Sequence, residues 1–199
     1  CTLWYKFFSK NKKVVFFQAY HPTHSLINLA ISRGKFRVLL ENFTKHGPFI
    51  NKFKQCTVPI LSGTDGLKAS ADKIMIKLKE GACQQLKVVL NNEQFDITGS
   101  VNEIIFKRVD QALVNKLRLL ESVISYLSVN RVDLVVLIAN IGELATIFDL
   151  ACKSKGIQSY MIINGLMTNN YMDEAKYATY INSYSSSIKE NYFQGMDNI

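Results

Sequence analysis

No stretch of this 199-residue sequence is apolar over a length that would cross a bilayer. The longest uninterrupted apolar run, Leu134 to Ala139, has six residues, where a membrane-spanning helix needs roughly 20. The first ten residues are too few and too polar for a signal peptide, and a first residue other than Met suggests that sequence lies upstream. Cysteine is sparse: Cys1, Cys56, Cys83 and Cys152 show no metal-ligand spacing, so reduced, buried thiols in a cytoplasmic protein are expected. Also missing are the G-x-G-x-x-G fingerprint, the P-loop and the Gly-x-Ser-x-Gly elbow of hydrolases. Their absence weighs against a classical dinucleotide or ATP site and leaves a hydrolase without support. There is no internal repeat, no coiled-coil seam and no low-complexity segment.

What is present is a globular composition, 48% hydrophobic, with 24 Lys and Arg against 16 Asp and Glu. The net charge of +8 favours anionic partners in general, whether nucleic acid, an acidic membrane surface or a phosphorylated or acidic sugar. The basic residues are scattered and not interleaved with aromatics, so nucleic acid is not the expected partner, and a merely solvated surface is the plainer reading.

The pattern along the chain is that of an α/β protein. Val132 to Ala139 is rich in β-branched residues, as expected of a parallel strand covered on both faces. From Ile141 to Lys153 the apolar residues recur at helical spacing, with Lys153 and Lys155 in the last turn and Gly156 beyond. A second strand, Ile157 to Ile163, ends in Asn164-Gly165. Near the start, Val14 to Phe17 reads as a strand, Leu26 to Ser32 as a helix ended by Gly34, and Phe36 to Leu40 as another strand. Two such units, with right-handed crossovers, predict a Rossmann-like, doubly wound, mainly parallel sheet with helices on both faces. Residues 1–199 are expected to form one such domain, with 57–99 less regular. Within that stretch Thr64 or Asp65 is placed to cap a helix running to about Glu80, and short strands are expected around Asn91-Asn92. The capping box Ser100-Val101-Asn102-Glu103 is expected to open a long helix to about Ser128.

Ligands of open α/β sheets bind at the carboxyl ends of the strands, so the polar loops there are the candidate site. His21 and His24 follow the first strand, and an imidazole at that edge could take a proton from an attacking sugar hydroxyl. Against this, Thr23 or Ser25 would only cap the next helix and the histidines would be surface residues. No metal site is expected of the pair, because Pro22 breaks the helix that would align them. Asn140, Gly142 and Glu143 place a glycine and an acid at a helix start, where Glu143 would accept hydrogen bonds from sugar hydroxyls, act as a base, or merely complement the helix dipole. Asn164 and Gly165 would line the same edge and let a ligand approach the main chain, or form no more than a turn.

The residues Arg131-Val132-Asp133-Leu134-Val135-Val136-Leu137, Asp149 to Ile157 and Ile163-Asn164-Gly165-Leu166, followed by Lys176-Tyr177-Ala178 and Ser187 to Tyr192, carry a resemblance. In order and spacing this half of the chain resembles the amino-terminal half of GT-B glycosyltransferases, particularly bacterial enzymes of surface-polysaccharide and cell-envelope synthesis. More loosely, the loop at His21 to Ala30 is similar to the place where many such enzymes carry their catalytic base. The resemblance implies two Rossmann-like domains, of which this chain would be the first and acceptor-holding one. It implies no cofactor in this part, a nucleotide-sugar donor bound by a second domain, and a glycan, lipid-linked or protein acceptor. It further implies a cytoplasmic location, with peripheral association at the inner face of the membrane, and no activity in the isolated part. Family members commonly have His-Gly where this chain has Asn164-Gly165, so the role of that histidine does not transfer. The rival reading is a non-catalytic Rossmann-like module binding a carbohydrate or a partner.

Overall fold

The structure, a computed structural model, describes residues 12–18, 23–41, 57–58, 66–138, 143–162, 178–182, 186 and 190. Along the chain the elements are β1 (Lys13–Phe17), α1 (His24–Ser32), β2 (Phe36–Glu41), β3 (Thr57–Val58), α2 (Lys68–Glu80) and β4 (Lys87–Leu90). They continue with β5 (Glu93–Asp96), α3 (Thr98–Asn130), β6 (Leu134–Ile138), α4 (Glu143–Lys155), β7 (Gln158–Ile162) and β8 (Tyr180–Asn182). The chain divides into two compact units, one of residues 1–61 with 122–199 and one of residues 62–121.

The first unit holds a six-stranded sheet in the order β3-β2-β1-β6-β7-β8, and every pairing is parallel. This is a Rossmann-like α/β fold, and the sequence pattern dictates it locally. β1 alternates its side chains between two buried faces. Val15 and Phe17 pack with Val38, Leu40 and Val136 against Ile27 and Ala30 of α1. Phe16, pointing the other way, stacks on Phe148 of α4 (centroids 4.6 Å apart, planes at 18°) and meets Tyr126 of α3 edge-on (5.7 Å, 76°). A strand covered on both sides needs apolar residues at consecutive positions, which is why Val14 to Phe17 shows no alternation in sequence. Gly34 (φ 63°) and Gly156 (φ 65°) stop α1 and α4 in the left-handed region, where a glycine carries no Cβ penalty.

Several boundaries differ from the sequence reading. α1 begins at His24 rather than Leu26, so His24 belongs to the first helical turn and not to a loop. α3 begins at Thr98, which places the expected cap Ser100 inside the helix. The reason is Asp96: its carboxylate accepts hydrogen bonds from the backbone N–H of Thr98 (2.9 Å) and from the Thr98 hydroxyl, satisfying a leading donor earlier than Ser100 could. Those two bonds hold the Asp96 carboxyl below the usual range. α2 starts after Leu67 with no side-chain cap; Thr64 and Asp65 lie outside the described residues.

The second unit contains α2, the β4–β5 hairpin and the amino-terminal part of α3. The hairpin is antiparallel, with Leu90 paired to Glu93, and turns through Asn91 (φ 51°) and Asn92 (φ 66°). Two consecutive left-handed residues are what a tight hairpin requires, and asparagine tolerates them better than any other residue with a side chain. Among the described residues of this unit only Ala71 and Met75 are buried hydrophobics.

Cys1 and Cys56 lie outside the described residues, and the two described cysteines separate by environment. Cys152, on the inner face of α4, is fully buried, and burial, with a smaller contribution from the Asp149 charge, pushes its thiol up to about 12. Cys83 is exposed, contrary to the expectation of buried thiols. Thiolate is the reactive form. Brief alkylation of the native protein at neutral pH should therefore modify Cys83 and spare Cys152, as read by peptide mass spectrometry, with Cys152 labelled only after denaturation.

Candidate functional site

The sheet order defines where a ligand can enter. From β1 the chain crosses through α1 to β2 on one side, and from β6 it crosses through α4 to β7 on the other. The connections leave the carboxyl ends of two adjacent strands in opposite directions, and a crevice opens between them at this topological switch point. α1 starts on one side of it with His24, and α4 starts on the other with Glu143. β7 runs beside β6 in full register, Ile138 against Ile162, so the carboxyl end of β7 shares the same edge.

The floor of the crevice is built by Gln18, the residue that follows β1. Its backbone N–H donates to Val136 O (2.9 Å), continuing the β1–β6 ladder by one bond. Its side-chain Oε1 then accepts from the backbone N–H of Ile138 (2.9 Å), replacing the next strand residue. With Oε1 fixed on Ile138, the Gln18 amide retains two N–H donors. Fully buried Thr23 ties the far end of the connection back, its hydroxyl donating to Gln18 O (3.1 Å). At the opposite, amino edge Asp133 plays the mirrored part: Oδ2 accepts from Val14 N–H (2.7 Å) and Asp133 N–H donates to Val14 O (2.9 Å). The β1–β6 seam is thus closed by a polar side chain at each end.

Electrostatically the two sides of the crevice differ. The amino end of a helix carries a partial positive charge. In α4 the exposed Glu143 lies in the first turn and offsets it, whereas α1 has no acidic residue in its first turn. His24 is half-buried and its Nε2 is closed off from solvent.

Of the residues singled out from sequence, the structure places His24 and Glu143 at the starts of the helices that follow the neighbouring central strands β1 and β6. His21, Asn140, Gly142, Asn164 and Gly165 lie outside the described residues. Among the described residues, no group of three or more His, Cys, Asp or Glu side chains could hold a metal ion, and no helix is long and apolar enough to cross a membrane. Gln18 and Asp133 went unremarked in sequence as bridging residues. The available signal was positional: a hydrogen-bonding side chain flanking the last or first apolar residue of each central strand.

No protein-family model matches the sequence, and no curated protein does. Among solved structures, the chain is similar to a UDP-N-acetylglucosamine 2-epimerase with a TM-score of 0.48 and 11% identity, over 92% of this chain and 45% of that one. It is similar to the UDP-GlcNAc 2-epimerase of Neisseria meningitidis bound to UDP-GlcNAc (0.43, 12%, 91% of this chain and 42% of that). It is also similar to CalG4, the calicheamicin glycosyltransferase (0.39, 12%, 80% and 34%). The chain spans less than half the length of each of these proteins.

Proposed function

We propose that this chain is the acceptor-side half of a GT-B-like glycosyltransferase, with the acceptor lying in the crevice at the carboxyl ends of β1 and β6. The observation that supports it is the sheet order: it sets the starts of α1 and α4, and with them His24 and Glu143, on the two sides of one switch point. In this reading an acceptor hydroxyl gives its proton to His21 or His24 as its oxygen attacks the anomeric carbon of a nucleotide sugar. A new C–O bond forms, the bond to the nucleotide diphosphate breaks, and the leaving group departs with the electron pair. Glu143 accepts hydrogen bonds from acceptor hydroxyls, and the Gln18 amide donates to them. The donor belongs to a second domain.

The experiment is transfer and donor hydrolysis by the full-length protein across a panel of nucleotide sugars. The His21→Ala, His24→Ala double variant should lose turnover by about a hundredfold, the low end of what a positioned base contributes. Absence of both activities in folded full-length protein would sink the assignment. The buried Nε2 of His24 favours the rival, a non-catalytic carbohydrate-binding module. In that case the 199-residue chain would bind glycans on an array while the intact protein turned nothing over.

A further inference from the structure

The second unit has little interior of its own. A compact body of this size ordinarily buries well over half of the surface its unfolded chain exposes, yet among its described residues only Ala71 and Met75 are buried hydrophobics. Large apolar side chains instead face outward, with Ile76 57% exposed on α2, Ile104 56% on α3, and Val89 61% and Leu90 59% on the hairpin. Where such residues line one groove, the surface is suited to a protein contact.

Within this unit a groove of about 510 Å3 runs between α2 and α3. The α2 wall is Asp72, Met75, Ile76 and Lys79; the α3 wall is Glu103, Phe106, Lys107 and Asp110, again of mixed charge. The spacing of the α2 wall identifies the occupant. Acid, two apolar residues and base stand at positions 72, 75, 76 and 79, symmetric about the midpoint between Met75 and Ile76. Met75 is the buried floor of the groove and Ile76 its exposed rim, so if a second α2 is laid antiparallel across this midpoint, Ile76 of each copy lies over the groove floor of the other and Asp72 meets Lys79, and two-fold symmetry makes each contact twice. A partner of uniform charge would face a like charge at one end of the stripe; a second copy of this chain does not.

We propose that this chain forms a two-fold dimer through α2, centred between Met75 and Ile76, with Asp72 of each copy paired to Lys79 of the other and α3 flanking the pair. The four helices would bury Ile76, the exposed apolar residue of the groove, twice over.

The test is sedimentation velocity of the 199-residue chain over a concentration series, with circular dichroism confirming unchanged helix content in every variant. Wild type should show a concentration-dependent dimer. Ile76→Glu, on the surface of α2, should raise its dissociation constant by tenfold or more, since the change enters the interface twice. Asp72→Lys alone and Lys79→Asp alone should each weaken the dimer, by placing like charges together at both ends. The double exchange Asp72→Lys, Lys79→Asp should restore it. Wild-type protein that stays monomeric throughout, or a double variant no tighter than the singles, would overturn the proposal. A monomeric wild type would direct the groove to a different protein.

Discussion

Replacing Phe16 by Ala should lower the unfolding free energy by about 3–5 kcal/mol, the range for removing a buried aromatic ring without refilling its space. The expectation rests on the position of Phe16 at the middle of the sheet. It is 0% exposed on β1, with its ring face on Phe148 and an edge contact to Tyr126. Alanine would leave a cavity where α3 and α4 meet the sheet, and would delete two aromatic contacts each worth about 0.5–1.5 kcal/mol beyond the area they bury. Phe16→Leu refills most of the volume and should cost about 1.5 kcal/mol or less. Urea unfolding followed by circular dichroism checks both, read as a lower midpoint at unchanged slope. A loss below about 1 kcal/mol for the alanine variant would mean that this face of the sheet is not the packed core described. The effect should also reach the crevice, because Gln18 lies two residues further along the same backbone.

Asp149→Ala should be the second large loss, about 2–3 kcal/mol, and it operates through hydrogen bonding. Asp149 is 0% exposed on α4; Oδ1 accepts from the Ser159 hydroxyl (2.7 Å), and Oδ2 lies 3.0 Å from the ammonium of Lys153, whose side chain is half exposed. Because the Ser159 proton is committed to Asp149, the Ser159 oxygen is free to accept from Thr179 N–H (2.9 Å). Thr179 Oγ1 in turn accepts from Ser159 N–H (3.0 Å). This reciprocal clasp docks the edge strand β8 on β7, just before the ladder begins at Tyr160 and Tyr180. Alanine at 149 strands a buried hydroxyl donor, whereas Asn keeps an acceptor and should recover part of the loss while forfeiting the ion pair. Amide hydrogen exchange supplies the local readout: Met161 and Ile181 should lose protection in Asp149→Ala ahead of residues in β1. Equal loss in both strands would assign Asp149 to global stability only.

The sheet was legible because its signals are local. Continuous apolar runs at Val14 to Phe17 and Leu134 to Ile138 read as strands buried on both faces, and the glycines at 34 and 156 mark stops that the left-handed backbone confirms. Strand order was half legible, since right-handed crossovers fix the neighbours within each unit but do not say that β1 would pair with β6. That pairing joins residues about 120 apart and is specified by complementary faces and by Gln18 and Asp133, which in sequence read as the polar flanks of loops. The start of α3 was misplaced for a similar reason: the Ser-x-x-Glu pattern at 100–103 is genuine, but Asp96 reaches Thr98 first. The second unit was the least legible, because the apolar periodicity of α2 and α3 resembles that of core-facing helices although much of that surface faces outward.

The seam between β1 and β6 has a bearing on how the chain assembles. Its closing bonds, Asp133 to Val14 and Gln18 to Ile138, span sequence separations of 119 and 120 residues. Each flanking strand-helix-strand unit, by contrast, closes over a few tens of residues. Tethering the ends of a segment that long costs about 4 kcal/mol of chain entropy before any contact is made, and topologies dominated by such distant pairings fold slowly. The two halves of the sheet are therefore expected to form first and the central seam to join last, so that the crevice comes into being with the final step of folding.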